Sequence, residues 1–182
     1  MTNTRPLATI KRQLQAGFTL LEVMVVVLII GIIISFATLS IGPSASQQQE
    51  LETKRIVALV QLAAEEAILN ASDIVLQLTA RGYRFALLDA AGQIRPFDKA
   101  DTTYRPRELP EELHLQAMIN GEEVSLTQTF ADTEQLPSVF ILSSGELTPF
   151  EIDVVNDDDL KFRAVGEYSG QVSYRGRVDG QR

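Results

Sequence analysis

The chain has 182 residues, a formal net charge of −8 and no cysteine. The charge argues against general binding to phosphate backbones. The lack of thiols excludes disulfides, thiol nucleophiles and Cys-ligated zinc. The residues beyond the amino-terminal apolar run are enough for one globular domain of ordinary size.

The first segment, Met1 to Gly17, is polar, and its only charges are Arg5, Lys11 and Arg12. From Phe18 to Ile41 the only charge is Glu22. As a helix this run measures about 36 Å, against a hydrocarbon core of about 30 Å. An ordinary secretory signal has its cleavage site after the apolar region. Here Ala16-Gly17 precedes it, so a cut after Gly17 keeps the helix on the protein and takes the net charge to −11. The basic leader predicts a cytoplasmic amino terminus, with the rest of the chain across the membrane.

Glu22 is the informative residue of the run. A carboxylate near the middle of a bilayer costs about 2.5–3.5 kcal/mol, so it calls for a partner. A plain membrane anchor explains the length and orientation but not this acid. A cut after Gly17 would free an amine at Phe18, four residues away on the same helix. The aliphatic residues Val25 to Ile34 suit helix association, and Gly31 permits close approach, although a lone glycine is also tolerated in any span. Gly17-Phe-Thr-Leu-Leu-Glu22 behind a basic leader resembles the type IV prepilin signal, and that resemblance implies a filament in which Glu22 of one subunit pairs with the Phe18 amine of its neighbour.

Gly42-Pro43 predicts a kink or local melting. Ser44 to Gln49 is polar and reads as helix or not. From Glu50 a helical pattern resumes, with Ile56, Leu59, Val60, Ala63, Ala67 and Ile68 on one face, and it ends near Asn70. Joined to the membrane run it would extend about 80 Å. Beyond Asp73 the pattern changes to period two. Strands are expected at Ile74–Leu78, Tyr83–Asp89, Gln93–Phe97, Leu113–Ile119, Glu123–Leu126, Val139–Leu142, Phe150–Val155, Leu160–Val165 and Gln171–Tyr174. Asn120-Gly121 is a hairpin turn. Ser144-Gly145 is expected to close a hairpin between Val139–Leu142 and Phe150–Val155. Asp98–Glu112 and Thr127–Leu136 read as loops.

The expected class is therefore α+β: a long amino-terminal helix, its first half spanning the membrane, packed on one side of an antiparallel sheet. The divisions are a leader at 1–17, a transmembrane helix at 18–41, its periplasmic continuation at 42–72 and a β domain at 73–182.

Ala64-Glu-Glu-Ala67 on the helix, Gly82-Tyr-Arg-Phe85 in a strand, and Pro137 to Phe150 with its Gly145-Glu146-Leu-Thr148-Pro149-Phe150 turn resemble the H-type minor pseudopilins of type II secretion, within the type IV pilin-like superfamily. The turn discriminates within that superfamily. Locally, Gly145 supplies the reversal, Pro149 restricts re-entry and Phe150 starts a core strand. The resemblance implies cleavage after Gly17 by prepilin peptidase, N-methylation of Phe18 and an assembly role for Glu22. It implies a structural subunit of the bacterial inner membrane, at or near the tip of the periplasmic pseudopilus, that helps export folded proteins across the outer membrane. Its partners would be the other minor pseudopilins and the major one.

No enzyme, cofactor or metal is expected. His114 is the one histidine and reads as an ordinary strand residue. No phosphate-cradling glycine loop or nucleophile elbow occurs. Asp157-Asp158-Asp159 lacks the spaced ligands of a calcium loop and reads as a solvated turn. The tail residues Tyr174, Arg175, Arg177 and Arg182 supply the alternative reading, a DNA-uptake minor pilin that contacts DNA through a basic carboxy terminus. Nucleic acid is nevertheless the weaker partner for an acidic chain.

Overall fold

In the computed structural model the described residues are 19–39, 44–97, 101–130, 136–156 and 161–178. They fall into two units, divided between Gly42 and Pro43. The first contains α1 (Leu20–Leu39), whose one charged residue is Glu22 in its first turn.

The second unit begins with α2 (Ala45–Asn70). Ser44 is its N-cap, in extended conformation. The Gln47 N–H donates to Ser44 Oγ at 3.3 Å, and the Ser44 N–H donates to Gln47 Oε1 at 3.1 Å. This reciprocal capping box satisfies two of the first turn's free N–H groups. The helix therefore starts well ahead of Glu50, and the Ser-x-x-Gln spacing was the signal for it. At the far end Ala71 turns left-handed, at φ 48°, and its N–H closes on the last carbonyls.

Ten strands follow among the described residues: β1 (Asp73–Thr79), β2 (Gly82–Leu88), β3 (Ile94–Pro96), β4 (Arg107–Glu108), β5 (Leu113–Ile119), β6 (Glu122–Val124), β7 (Ser138–Ile141), β8 (Phe150–Asn156), β9 (Lys161–Gly166) and β10 (Val172–Val178). They form two antiparallel five-stranded sheets where one was expected. The first has the order β3-β2-β1-β7, with β4 also paired to β2; the second has the order β10-β9-β8-β5-β6. Asn120 and Gly121 both have positive φ, at 54° and 82°, as a two-residue hairpin turn requires. The short β4 lies inside the segment expected to be loop.

One expected hairpin does not form. β7 pairs with β1, Ile74 opposite Ile141 and Gln77 opposite Ser138. β8 lies in the other sheet, between β5 and β9. A local turn signal fixes a chain reversal but not which strand the returning segment joins.

The core lies between α2 and the two sheets. Ile56, Val60, Ala63 and Ala67 of α2 meet Ile74, Leu76, Leu78 and Val139 of the first sheet and Leu115, Ile152, Val154 and Ala164 of the second. Each large aliphatic side chain buried this way contributes roughly 1.5–3 kcal/mol. Ile68, expected on the buried face, is instead 54% exposed. The buried face also carries Gln49 and Thr53. Gln49 Nε2 donates to Val154 O at 3.2 Å, and Thr53 Oγ1 donates to Gln49 O at 2.7 Å.

Tyr83 of β2 is buried in the core, and its hydroxyl has no hydrogen-bond partner among the described residues. Burial, reinforced by the charge of Glu52, pushes its phenol up. An unfolded phenol titrates near pH 10, so this contribution to stability is complete below about pH 10 and lost as pH rises towards the higher folded value. Tyr83→Phe is expected to raise stability by about 1 kcal/mol and to lessen the alkaline loss in denaturant titrations at rising pH. A lower stability would show that the hydroxyl is hydrogen-bonded in solution.

Candidate functional site

Three groups of residues are candidates, and the first is the amino-terminal segment. Gly17 and Phe18 lie outside the described residues. Glu22 is in the first turn of α1 and is exposed. Its N–H donates to Thr19 O at 3.1 Å and Thr19 Oγ1 at 3.2 Å. Thr19 is thus a cap, a role that the Thr-x-x-Glu spacing signals and that the reading of Glu22 as an intermolecular partner passes over. A carboxylate in the first turn is also favoured by the helix dipole. The large apolar side chains from Leu20 to Ile33 are between 44% and 79% exposed. Such a surface calls for lipid or other helices to cover it. The stretch to Ile33 is about 21 Å long, and no helix of the described residues is long and apolar enough to cross a membrane.

The second group is the turn from Gly145 to Phe150, which carries the chain from the first sheet to the second. The Gly145 N–H donates to Leu142 O, and the Leu142 N–H to Glu146 O, both at 2.9 Å. The φ of +91° at Gly145 is left-handed. Leu147 is buried, and its N–H reaches Tyr168 O in the β9–β10 turn at 3.2 Å. Thr148 covers the outer edge of β7: its N–H donates to Phe140 O at 2.9 Å, and its Oγ1 accepts from the Phe140 N–H at 3.1 Å. Pro149 O accepts from the Asn120 N–H at 2.9 Å, and Phe150 opens β8 in the core. The motif therefore ties together β7, the β5–β6 turn and the β9–β10 turn. Asp73 adds a further tie, since its Oδ1 accepts from the N–H and the hydroxyl of Ser143 at 2.8 and 2.7 Å.

The third group is charged. On the outer face of the second sheet Arg163 forks onto Asp153 at 2.6 and 2.8 Å and also reaches Glu151. These carboxylates hold the guanidinium in its charged form, Asp153 most strongly. The whole set is satisfied internally. Arg175 is exposed in β10, while the side chain of Arg177, and Arg182, lie outside the described residues. His114 sits half-buried in β5. Among the described residues no group of His, Asp or Glu could hold a metal ion, and Asp157 to Asp159 fall outside them.

Comparison with known proteins gives matches at both ends. A model of the prokaryotic N-terminal methylation motif matches residues 12–38, and one of the Type II transport protein GspH matches residues 52–178. Type II secretion system protein H of Pseudomonas aeruginosa is 34% identical over 142 residues, which are 75% of this chain and 80% of that protein. The protein of the same name from Aeromonas hydrophila is 27% identical over 160 residues, covering 84% and 87%. The crystal structure of the minor pseudopilin EPSH from the type II secretion system of Vibrio cholerae superposes with a TM-score of 0.63 at 24% identity, over 76% of this chain and all of that one. The helix on two antiparallel sheets is therefore a pilin-like fold. The type IV pilus alternative is the less supported reading. The chain belongs to the GspH family of type II transport proteins and is a minor pseudopilin of type II secretion.

Proposed function

We propose that this subunit does no chemistry and acts by assembly, as a component at or near the tip of the pseudopilus. It is made with a leader at 1–17, cut after Gly17 by prepilin peptidase and methylated at Phe18. Residues 18–41 hold it in the bacterial inner membrane in a single pass, with the amino terminus cytoplasmic. Residues 42–72 and the β domain at 73–182 stand in the periplasm and contact the other minor pseudopilins and the major one.

The observation that carries this reading is the methylation-motif match over 12–38, coincident with a helix whose described apolar side chains are exposed. The head supports it with a second surface. Leu51, Leu62 and Leu69 of α2 are 56%, 43% and 83% exposed. Spacings of eleven and seven residues put them in one line along the helix, opposite its buried face. Such a line suits packing against another helix.

The test is complementation of a strain lacking the gene. The intact chain should restore export of folded proteins that otherwise accumulate in the periplasm. Glu22→Ala should be cleaved normally yet fail to enter the pseudopilus, lowering export about tenfold or more. Unchanged incorporation of Glu22→Ala would show that the pairing with the Phe18 amine is not needed. Normal export without the gene would overturn the secretion role.

A further inference from the structure

β7 lies at one end of the first sheet, so half of its backbone groups have no strand to meet. The Leu78 N–H donates to Pro137 O at 3.0 Å, so Pro137, Val139 and Ile141 turn their backbone groups towards β1. Ser138, Phe140 and Leu142 turn theirs outward. The turn that follows fills this edge. Phe140 O accepts from the Thr148 N–H at 2.9 Å, and the Phe140 N–H donates to Thr148 Oγ1 at 3.1 Å. Leu142 O accepts from the Gly145 N–H, and the Leu142 N–H donates to Glu146 O. Leu147 forms an antiparallel bridge with Ile141. The outward groups of Phe140 and Leu142 are thus all satisfied without a further strand. Only one of these bonds uses a side chain of the turn: Thr148 Oγ1 stands in for the carbonyl that a pairing strand would supply.

The other ends of the two sheets are protected differently. β3 ends in the exposed Pro96, and β6 exposes Glu122 and Glu123. β10 has a bulge between Arg175 and Arg177, and Gln61 Nε2 occupies its Val172 O at 2.9 Å. Proline, charge and bulges each discourage an added strand. The β7 segment, Ser138-Val-Phe-Ile-Leu-Ser143, has no charge, proline or glycine. Its β-branched and aromatic residues, over six positions, are of the kind that stack with copies of themselves. Phe140 is 37% exposed at this edge.

We propose that the turn from Gly145 to Pro149 is a seal on the β7 edge, that the Thr148 hydroxyl is its catch, and that the contact it prevents is β7 of one copy pairing with β7 of a second copy. Valine has the shape of threonine but no oxygen, so it leaves the Phe140 N–H free to seek another acceptor. The seal creates no fresh edge at its end, because Pro149 has no N–H to offer.

The experiment uses the full chain in detergent micelles, as an equal mixture of heavy-nitrogen and ordinary copies. A photo-crosslinking phenylalanine analogue replaces Phe140, and adducts between the two isotopic forms are mapped by mass spectrometry. Hydrogen exchange reads the Phe140 amide in chains without the probe. Thr148→Ser keeps an acceptor and should match the parent, with a protected amide and no mixed adducts in residues 138–143. Thr148→Val should lower protection of the Phe140 amide about tenfold or more and bring mixed adducts into residues 138–143. Ile56→Ala truncates the core from α2 and should lower stability without producing these adducts. The assignment is overturned if the Phe140 amide stays protected in Thr148→Val, if it opens and no mixed adduct falls within 138–143, or if Ile56→Ala yields the same adducts.

Discussion

Gly170→Ala is expected to destabilise the head by about 3 kcal/mol, whereas Gly145→Ala should cost only about 1 kcal/mol. Both glycines are left-handed, with φ of +84° and +91°, so alanine meets similar backbone strain at each. Their surroundings differ. A Cβ at residue 170 would lie 2.4 Å from the carbonyl oxygen of Gly145, which is main chain and cannot rotate away. A Cβ at residue 145 meets only Ile68 Cδ1, at ordinary contact distance. Relieving the first clash means separating the β9–β10 turn from the inter-sheet turn, with loss of the bond from Leu147 to Tyr168 O. Urea unfolding of the two variants measures the difference. Equal costs would mean that the two turns separate freely and that the motif does not tie the sheets together.

The second large effect is on processing. Replacing Gly17 by a bulky residue should leave a longer, uncleaved chain in the inner membrane and abolish export. The retained leader carries Arg5, Lys11 and Arg12, and moving these charges into a bilayer costs several kcal/mol each, so the precursor cannot be drawn out of the membrane. With Phe18 still in peptide linkage there is no free amine for Glu22. Gel mobility and the intact mass of the membrane-extracted protein decide the matter. A mature-length product from the Gly17 variant would remove the basis for reading residues 1–17 as a leader.

The parts of the fold legible in the sequence are those governed by local chemistry. β5 runs over the residues its alternation predicts, because Leu113, Leu115 and Ala117 face the core and Asn120-Gly121 imposes a two-residue turn. The body of α2 follows from its period of 3.6. The features that were not legible depend on distant partners. The pairing of β7 with β1 brings Ile141 beside Ile74, and nothing near Ser144-Gly145 encodes that choice. The division into two sheets follows from the same choice. Ile68 shows another limit of periodicity: it falls at the edge of the buried face, beside Gly145 of the inter-sheet turn, and stays half exposed while its neighbour Ala67 is buried. Of the candidate site, the Gly145 to Phe150 motif was visible as a string, and its part in joining three separate turns and edges was not.

The capping box at Ser44 has a mechanical consequence. The start of α2 is held by the side chains of Ser44 and Gln47, both of which belong to the head. A helix start capped by its own side chains keeps its first turn without help from residues outside it. Fraying of the head from this end therefore has to break the reciprocal Ser44–Gln47 pair first, and the helix that backs both sheets keeps its own lock.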